Sequence, residues 1–215
     1  MSWVIECILA SRPWSFTASI IPITLTSVVL GQSLLSLAFL RVLSMGIFIQ
    51  AGANLSNTYY DYINGVDSKD NIGGDNTLVE NRLSVKTMVT LSAICYFLGV
   101  LSVFTDIINN TQLLWIFVSG ILLAFFYTAT PVGLKYQAMG DLTIFICFGP
   151  LLMQGTSLVL TGEMNTMLHV YSVPIGLITE NILHANNVRD IKVDREAGMY
   201  IIYVYYVCTL AHYNM

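Results

Sequence analysis

Residues 38–67 read AFLRVLSMGIFIQAGANLSNTYYDYINGVD, an apolar run that closes on a group of amides and acids. A run of about 20 apolar residues is what an α-helix needs to cross about 30 Å of hydrocarbon. A carboxylate beside hydrocarbon costs about 2.5 to 3.5 kcal/mol on insertion scales. The stretch therefore predicts a transmembrane helix whose polar end needs a cation or a wet cavity as its partner.

The composition of the whole chain indicates a polytopic membrane protein. Of its 215 residues, 55% are hydrophobic and 10% are charged, and the mean hydropathy is +0.69. Soluble domains average about 25% charged residues, so a soluble globular fold is excluded. Six apolar runs are long enough to cross a membrane, and a seventh run at 199–211 is too short to do so. We expect an all-α membrane helix bundle that forms a single domain over residues 1–215, with six complete spans at 15–36, 38–60, 87–108, 112–130, 141–161 and 167–185.

The basic residues predict the orientation of the bundle. With six spans, the segments on one side are 1–14, 61–86, 131–140 and 186–198, and these hold eight of the 9 Lys and Arg residues. Arg41 is the exception. The positive-inside rule makes that side cytoplasmic. Both polar clusters described below are therefore expected to face the cytosol.

Other sequence features exclude several classes of function. The cysteines are isolated in apolar sequence and form no Cys-x-x-Cys pair, which argues against a zinc or redox site. The N-terminus has no basic segment before its apolar run, so we expect a retained first span and not a cleaved signal. The acidic excess behind the net charge of −4 lies in the polar clusters. We therefore expect a lipid bilayer as the environment and no nucleic-acid partner.

The first polar cluster places three oxygen donors close together. Asn57 and Asp61 are four residues apart and share one face of a helix, and Gly65 allows the chain to turn before Asp67. The second cluster repeats this spacing after the sixth span. Its members are Asn186, Asn187, Arg189, Asp190 and Asp194.

Two carboxylate sets on one membrane face favour a metal–diphosphate site. Mg2+ prefers oxygen ligands and binds through one or two carboxylates together with substrate phosphates. The alternative is that these residues are solvated helix caps and that the nearby tyrosines form the usual interfacial belt. The tyrosines concerned are Tyr59, Tyr60, Tyr62, Tyr127 and Tyr136.

Several further motifs occur in a definite order along the chain, and together with the two clusters the sequence resembles the UbiA family of intramembrane aromatic prenyltransferases, menaquinone-forming branch. The resemblance covers residues 10–198. The motifs that carry it are Arg12-Pro13-Trp14-Ser15-Phe16, Asn57-Thr-Tyr-Tyr-Asp61, Tyr127-Thr128, Lys135-Tyr136, Gly140-Asp141-Leu142, Phe148-Gly149-Pro150 and His184-Ala-Asn-Asn-Val-Arg-Asp190.

The resemblance implies a nine-helix fold and transfer of a polyprenyl group, geranylgeranyl above all, from its diphosphate to a naphthoquinone-type acceptor, giving menaquinone-4 (vitamin K). It implies Mg2+ as the cofactor and an endoplasmic reticulum, Golgi or mitochondrial membrane as the location. Asn57, Asp61 and Asp67 would hold one Mg2+, and Asp190 and Asp194 the second. The four acids would be catalytic. The remaining substrate contacts would be Lys135, Arg189, Tyr127, Asn186 and Asn187.

Two departures from the family pattern bear on activity. Asn76 stands where an Arg is expected in Asp-Arg-Thr-Leu-Val, which removes a cation from the diphosphate site. After Gly198 the chain leaves the family pattern, so that about three helices are missing and residues 199–215 form a divergent tail. The alternative function is therefore a catalytically inactive, truncated form that regulates or binds a full-length copy or another membrane protein.

Three more polar residues lie near the clusters. Glu180 and His184 stand four apart on the sixth span and share a face, which fits either a structural pair or help for the acceptor. Asp141 fits either a helix cap or the acceptor pocket. A cation transporter is disfavoured, since the acids lie at the ends of spans and not near the membrane midplane.

Overall fold

In the computed structural model, residues 2–67 and 76–196 are described, and within these ranges the chain is helical with no β-strand. Two short 3-10 turns, Pro13–Phe16 and Leu134–Tyr136, and a π-helical segment, Cys147–Leu151, complete the helical structure. The nine α-helices of this part are α1 Trp3–Ala10, α2 Thr17–Val29, α3 Leu37–Ile63, α4 Val85–Ser102, α5 Phe104–Asn109, α6 Thr111–Phe126, α7 Gly140–Ile146, α8 Leu152–Thr161 and α9 Met167–Glu196.

The helices confirm the expectation of an all-α membrane bundle. Three of them are long and apolar enough to cross a membrane: α3, α4 and the continuous segment Gly140–Thr161 that α7 and α8 form. The other three predicted spans overlap α2, α6 and α9, which have 13, 16 and 30 residues. The predicted seventh run, 199–211, lies outside the described residues.

The ends of two predicted spans were wrong. The span predicted at 87–108 is divided at Val103, which leaves α5 as a separate short helix. The span predicted at 15–36 begins with a 3-10 turn and ends at Val29. Hydropathy alone does not reveal the break at Val103, because valine is itself apolar and lies in a mostly apolar stretch, 98–104.

Polar side chains mark where the helices begin. Ser36 accepts a hydrogen bond from the Phe39 amide at 3.1 Å at the start of α3, and Ser84 accepts one from the Thr87 amide at 3.1 Å at the start of α4. Asn110 does the same for α6. Each cap satisfies an amide that has no partner inside its own helix, so the polar residue fixes the boundary.

The contact between α3 and α4 is the most extensive in the fold. Ser92 of α4 donates a hydrogen bond to the Gly52 carbonyl at 2.9 Å, and the Ser92 and Ser56 hydroxyls lie 2.8 Å apart. Gly99 meets Ile49 so closely that a Cβ on Gly99 would lie 2.7 Å from Ile49 Cδ1. Small residues and interhelical hydrogen bonds are what hold helices together in lipid.

The second tight contact joins α9 to the π-helical segment and α7. A Cβ on Gly149 would lie 2.6 Å from the Ser172 carbonyl, and one on Gly176 would lie 2.9 Å from the Phe145 carbonyl. Pro150 lies inside the π-helical segment, where its missing N–H breaks the regular α-helical ladder. Glycine at 149 and 176 therefore allows two irregular backbones to touch.

Two ion pairs join helices to segments that are distant from them along the chain. Glu6 of α1 pairs with Arg82 at 3.3 Å, in the segment that leads into α4. Near the start of α3, Arg41 pairs with Asp106 of α5.

Candidate functional site

A cavity of about 480 Å³ runs through the described part of the bundle and reaches the polar end of α3. On α3 it is lined from Met45 to Asp61, about 24 Å of helix axis at 1.5 Å per residue. Apolar side chains line its deeper part, among them Ile49, Leu113, Ile116, Phe117, Ile121, Phe148, Leu152 and Val159. The cavity thus joins a polar mouth to a long apolar interior.

One face of α3 supplies polar groups to this cavity. Gln50, Asn54, Asn57 and Asp61 all line it, at intervals of four, three and four residues. This spacing keeps them on one face of a 3.6-residue helix. The expected shared face of Asn57 and Asp61 is therefore longer than the motif suggested, and the same spacing would have identified Gln50 and Asn54.

Gln50 and Asn54 form hydrogen bonds that connect the N-terminal segment to α3. The Gln50 amide donates to the Ser15 carbonyl at 2.6 Å, and the Asn54 amide donates to the Ser11 carbonyl at 2.8 Å. Ser19 donates to the Gln50 side-chain carbonyl. These bonds hold the turn at Pro13–Phe16 against the mouth of the cavity.

Asp61 is held by two side chains of the described part of the chain. It is 5% exposed. Lys135 Nζ lies 3.0 Å from its Oδ1 and 2.9 Å from its Oδ2. The Tyr136 hydroxyl donates to Oδ1 at 2.7 Å. A buried carboxylate is stable only when paired and hydrogen-bonded, and the 3-10 turn Leu134–Tyr136 provides both partners.

Tyr136 is held in its protonated form. Burial raises the pKa of its hydroxyl far above the usual value, and the charge of Asp61 and the hydrogen bond to it raise this pKa further. Because the shift is upward, Tyr136 is a hydrogen-bond donor throughout the physiological pH range.

Asn57 and Arg12 connect other parts of the chain to the same mouth. Thr128 Oγ1 donates to Asn57 Oδ1 at 2.8 Å. Arg12 lines the cavity and donates to Thr58 Oγ1 at 3.2 Å. Arg12 belongs to a motif quoted above, yet the sequence did not assign it to the site, because nothing local brings it to α3.

Asp67 reaches the cavity through the predicted turn. Gly65 has a φ of +72°, a conformation that side chains rarely adopt. The amides of Val66 and Asp67 then donate back to the Asp61 carbonyl at 2.9 and 3.3 Å. The turn folds the chain over the end of α3, so that Asp67 lines the same cavity as Asn57 and Asp61.

The tyrosines named from the sequence separate into two groups. Tyr127 is 7% exposed and lines the cavity, and Tyr136 bonds to Asp61. Tyr59 and Tyr60 pack edge to face with ring centroids 5.0 Å apart and line a separate, smaller cavity beside α4. Tyr62 is 38% exposed. The five rings therefore do not surround a common point.

The second cluster is described in part. The backbone of α9 continues through Glu196, so residues 186–194 belong to the helix that also carries the sixth span. The side chains of Asn186, Asn187, Arg189, Asp190 and Asp194 lie outside the described residues. Their approach to Asp61 stays a prediction.

A third polar group forms where α7 meets α9. His184 Nδ1 lies 3.8 Å from Asp141 Oδ2 and 3.7 Å from Glu180 Oε1. The predicted shared face of Glu180 and His184 is observed, and Asp141 in the first turn of α7 joins them. These three side chains do not line the cavity, although Leu183 and Ile144 beside them do.

The donors at the mouth suit a hard divalent cation. Asn57, Asp61 and Asp67 bring amide and carboxylate oxygens to one cavity. Mg2+ prefers such ligands and keeps several waters of its own, so that three protein donors with open space beside them match its chemistry. Lys135 and Arg12 line the same mouth and provide positive charge for phosphate oxygens.

Comparisons with known proteins agree with this arrangement. The model of the UbiA prenyltransferase family matches residues 19–210. UbiA prenyltransferase domain-containing protein 1 of Danio rerio is 37% identical over 217 residues, which cover 97% of this chain and 64% of the relative. The Homo sapiens protein of that name is 37% identical over 208 residues, covering 92% of this chain and 61% of the relative.

A third relative is more distant. The Drosophila melanogaster homolog is 34% identical over 215 residues, covering 95% of this chain and 59% of the relative. The chain thus spans about 59–64% of the length of these curated relatives. The order of motifs, the helical bundle and the family match agree, and the chain belongs to the UbiA prenyltransferase family.

Proposed function

We propose that this chain is a membrane prenyltransferase that transfers a polyprenyl group from its diphosphate to a naphthoquinone-type acceptor. The observation that carries the proposal is the shape and chemistry of one cavity. Its mouth holds Asn57, Asp61, Asp67 and Lys135, and apolar side chains such as Leu113, Ile116 and Phe117 line its interior. A polyprenyl diphosphate has the same division into a charged head and a long apolar tail.

The diphosphate would lie at the mouth. Arg12 and Lys135 line it and offer donors for the phosphate oxygens, which develop negative charge as the bond to the prenyl carbon breaks. Fixed cations at that position stabilise the leaving group more than the bound substrate, which is what lowers the barrier. By the resemblance, Arg189 of the second cluster would contribute a third cation.

Mg2+ is the cofactor that we propose. Asn57, Asp61 and Asp67 would hold one ion, and Asp190 and Asp194 the second. When bound, the metal supplies a Lewis acid that neutralises charge on the departing diphosphate. The protein's own residues hold the head group at the mouth and keep the tail in the apolar interior.

The acceptor would be an aromatic ring of the naphthoquinone type, with geranylgeranyl as the donor group and menaquinone-4 as the product. Tyr127 lines the cavity, where an aromatic side chain can contact an aromatic ring or stabilise a carbocation. Both substrates partition into lipid. A cavity enclosed by membrane helices is therefore suited to take them from the bilayer.

Product formation tests the proposal. The chain in lipid nanodiscs is incubated with geranylgeranyl diphosphate, menadiol and Mg2+, and prenylated naphthoquinone is measured by mass spectrometry. We expect product that disappears with EDTA or with Asp61→Asn and that persists with Glu163→Gln, an exposed acid. If no product forms while a full-length relative is active in the same assay, the proposal is wrong for this chain, and co-purification with that relative would favour the regulatory alternative.

A further inference from the structure

Asp61 is committed to partners within the chain. Lys135 Nζ lies 3.0 Å from Oδ1 and 2.9 Å from Oδ2, and the Tyr136 hydroxyl takes a further site on Oδ1 at 2.7 Å. A carboxylate has about four lone-pair sites. Lys135 and Tyr136 therefore occupy about three of these sites, and the ammonium contacts both oxygens through which Asp61 would bind a cation.

Displacing Lys135 has a consequence for that side chain. It is 24% exposed, in a site where its ammonium has limited access to water. If a free divalent cation bound Asp61, the Lys135 ammonium would lose its ion pair with Asp61 and would lie beside a second positive charge. Buried charges that lose their partner are strongly unfavourable. Free metal alone is thus opposed by the chain's own cation.

A diphosphate lowers the free-energy cost of separating Lys135 from Asp61. It arrives with its own negative oxygens, and Lys135 lines the cavity in which it would bind. The ammonium can then exchange one anion for another as the metal takes the carboxylate. Because the two binding events share Lys135, each favours the other, and this coupling is reciprocal by linkage.

Tyr136 differs from Lys135 in this exchange. Its hydroxyl is neutral and bonds to Oδ1 alone, so that it does not compete with a cation for Oδ2. A neutral donor on one oxygen fixes the orientation of the carboxylate while the other oxygen stays available. Hydrogen bonds from neighbouring side chains to metal-binding side chains orient the metal ligands in many proteins.

We propose that Lys135 exchanges between Asp61 and the diphosphate, so that the site takes up a metal–diphosphate pair in preference to free metal, and that Tyr136 is a positioning residue that keeps Asp61 oriented during the exchange. The inference rests on the proposed function. It assigns to Lys135 a second partner and to Tyr136 a role that the sequence motif does not give.

Equilibrium dialysis tests the exchange without turnover. The full chain in nanodiscs is dialysed against Mn2+ with and without radiolabelled inorganic pyrophosphate, and both are counted on the protein side. For the unmodified chain we expect pyrophosphate to tighten Mn2+ binding at least tenfold. Equal Mn2+ binding with and without pyrophosphate overturns the proposal, whatever the variants do.

Variants separate the two residues. Lys135→Met should bind Mn2+ alone about tenfold more tightly than the unmodified chain and should lose the pyrophosphate effect, whereas Lys135→Arg should keep it. Tyr136→Phe should weaken Mn2+ binding severalfold while keeping the pyrophosphate effect. Lys86→Met and Tyr62→Phe, both at exposed positions, are the matched controls and should change neither quantity.

The outcomes distinguish this inference from the proposed function. If Lys135→Met binds Mn2+ no more tightly than the unmodified chain, the exchange is wrong and the prenyltransferase proposal stands. If Tyr136→Phe matches the unmodified chain in both conditions, the positioning role is wrong. If Asp61→Asn leaves Mn2+ and pyrophosphate binding unchanged, the site itself is wrong and both proposals fall.

Discussion

Thr128 Oγ1 donates a hydrogen bond of 2.8 Å to Oδ1 of Asn57, across 71 residues of chain. Thr128 is fully buried, so that its hydroxyl is fixed by this contact. The bond leaves the amide nitrogen of Asn57 directed away from Thr128 and sets the orientation of the first residue of the Asn-x-x-x-Asp motif. A single hydroxyl beyond α6 thus orients a proposed metal ligand on α3.

Thr128→Val should therefore reduce activity by removing this orientation. Asn57 is half-buried, so loss of this hydrogen bond should cost about 0.5–1.5 kcal/mol in thermal stability, and we also expect a higher Mg2+ requirement for turnover. Thr128→Ser keeps the hydroxyl and should behave like the unmodified chain. Mg2+ dependence that is equal in Val and Ser variants would show that the bond does not act on the site.

The ion pair between Asp61 and Lys135 should be strongly coupled in stability. Removing one partner leaves a buried charge, which costs about 3–5 kcal/mol in well-buried pairs; the partial exposure of Lys135 places this pair at the lower end. The double variant Asp61→Asn, Lys135→Met should be more stable than Lys135→Met alone. Thermal unfolding of all four proteins in detergent measures the coupling.

A second cycle on Glu80 and Arg82 provides the comparison. Their side chains are 52% and 34% exposed and lie 3.0 Å apart. An exposed pair contributes about 0–1 kcal/mol. Additive effects at Asp61 and Lys135, as in this surface pair, would contradict the buried coupling.

Gly176 should not tolerate a methyl group. A Cβ there would lie 2.9 Å from the Phe145 carbonyl oxygen and 2.8 Å from Phe145 Cδ2, and the backbone oxygen cannot move without shifting α7. We expect Gly176→Ala to destabilise the bundle by about 1–3 kcal/mol. The measurement is the midpoint of thermal unfolding.

Gly120→Ala is the matched control for this change. Gly120 lies inside α6, and a Cβ there meets nothing within 4 Å. Alanine favours a helix by up to about 1 kcal/mol over glycine, so this variant should be as stable as the unmodified chain or more stable. Equal losses in both variants would attribute the effect to something other than the contact with α7.

The length of the prenyl group should depend on Ile121. This residue lines the cavity along α6, so Ile121→Trp should fill part of the tail region. We expect the ratio of kcat/KM values to shift by at least about tenfold from geranylgeranyl towards a shorter prenyl diphosphate, since a few methylenes are enough for such discrimination. Val118→Trp, at a position that is 37% exposed and outside the cavity lining, should leave the ratio unchanged.

Local sequence was enough to predict the polar face of α3. The four-residue spacing of Asn57 and Asp61 implies a shared face because helical periodicity is a local property, and the turn at Gly65 has the positive φ that glycine allows. The span ends were harder to predict. Val103 is fully buried and itself apolar, so the hydropathy of this residue carries no sign of the break between α4 and α5.

What the chain alone determined is the helical membrane bundle, the family and the acids at the end of one span. Only the tertiary structure decided which cations face those acids. Lys135 pairs with Asp61 across 74 residues, and Arg12, which lines the same cavity as Asp61, bonds to Thr58 across 46 residues. Such distant partners are selected by the packing of whole helices against one another, which no local spacing encodes.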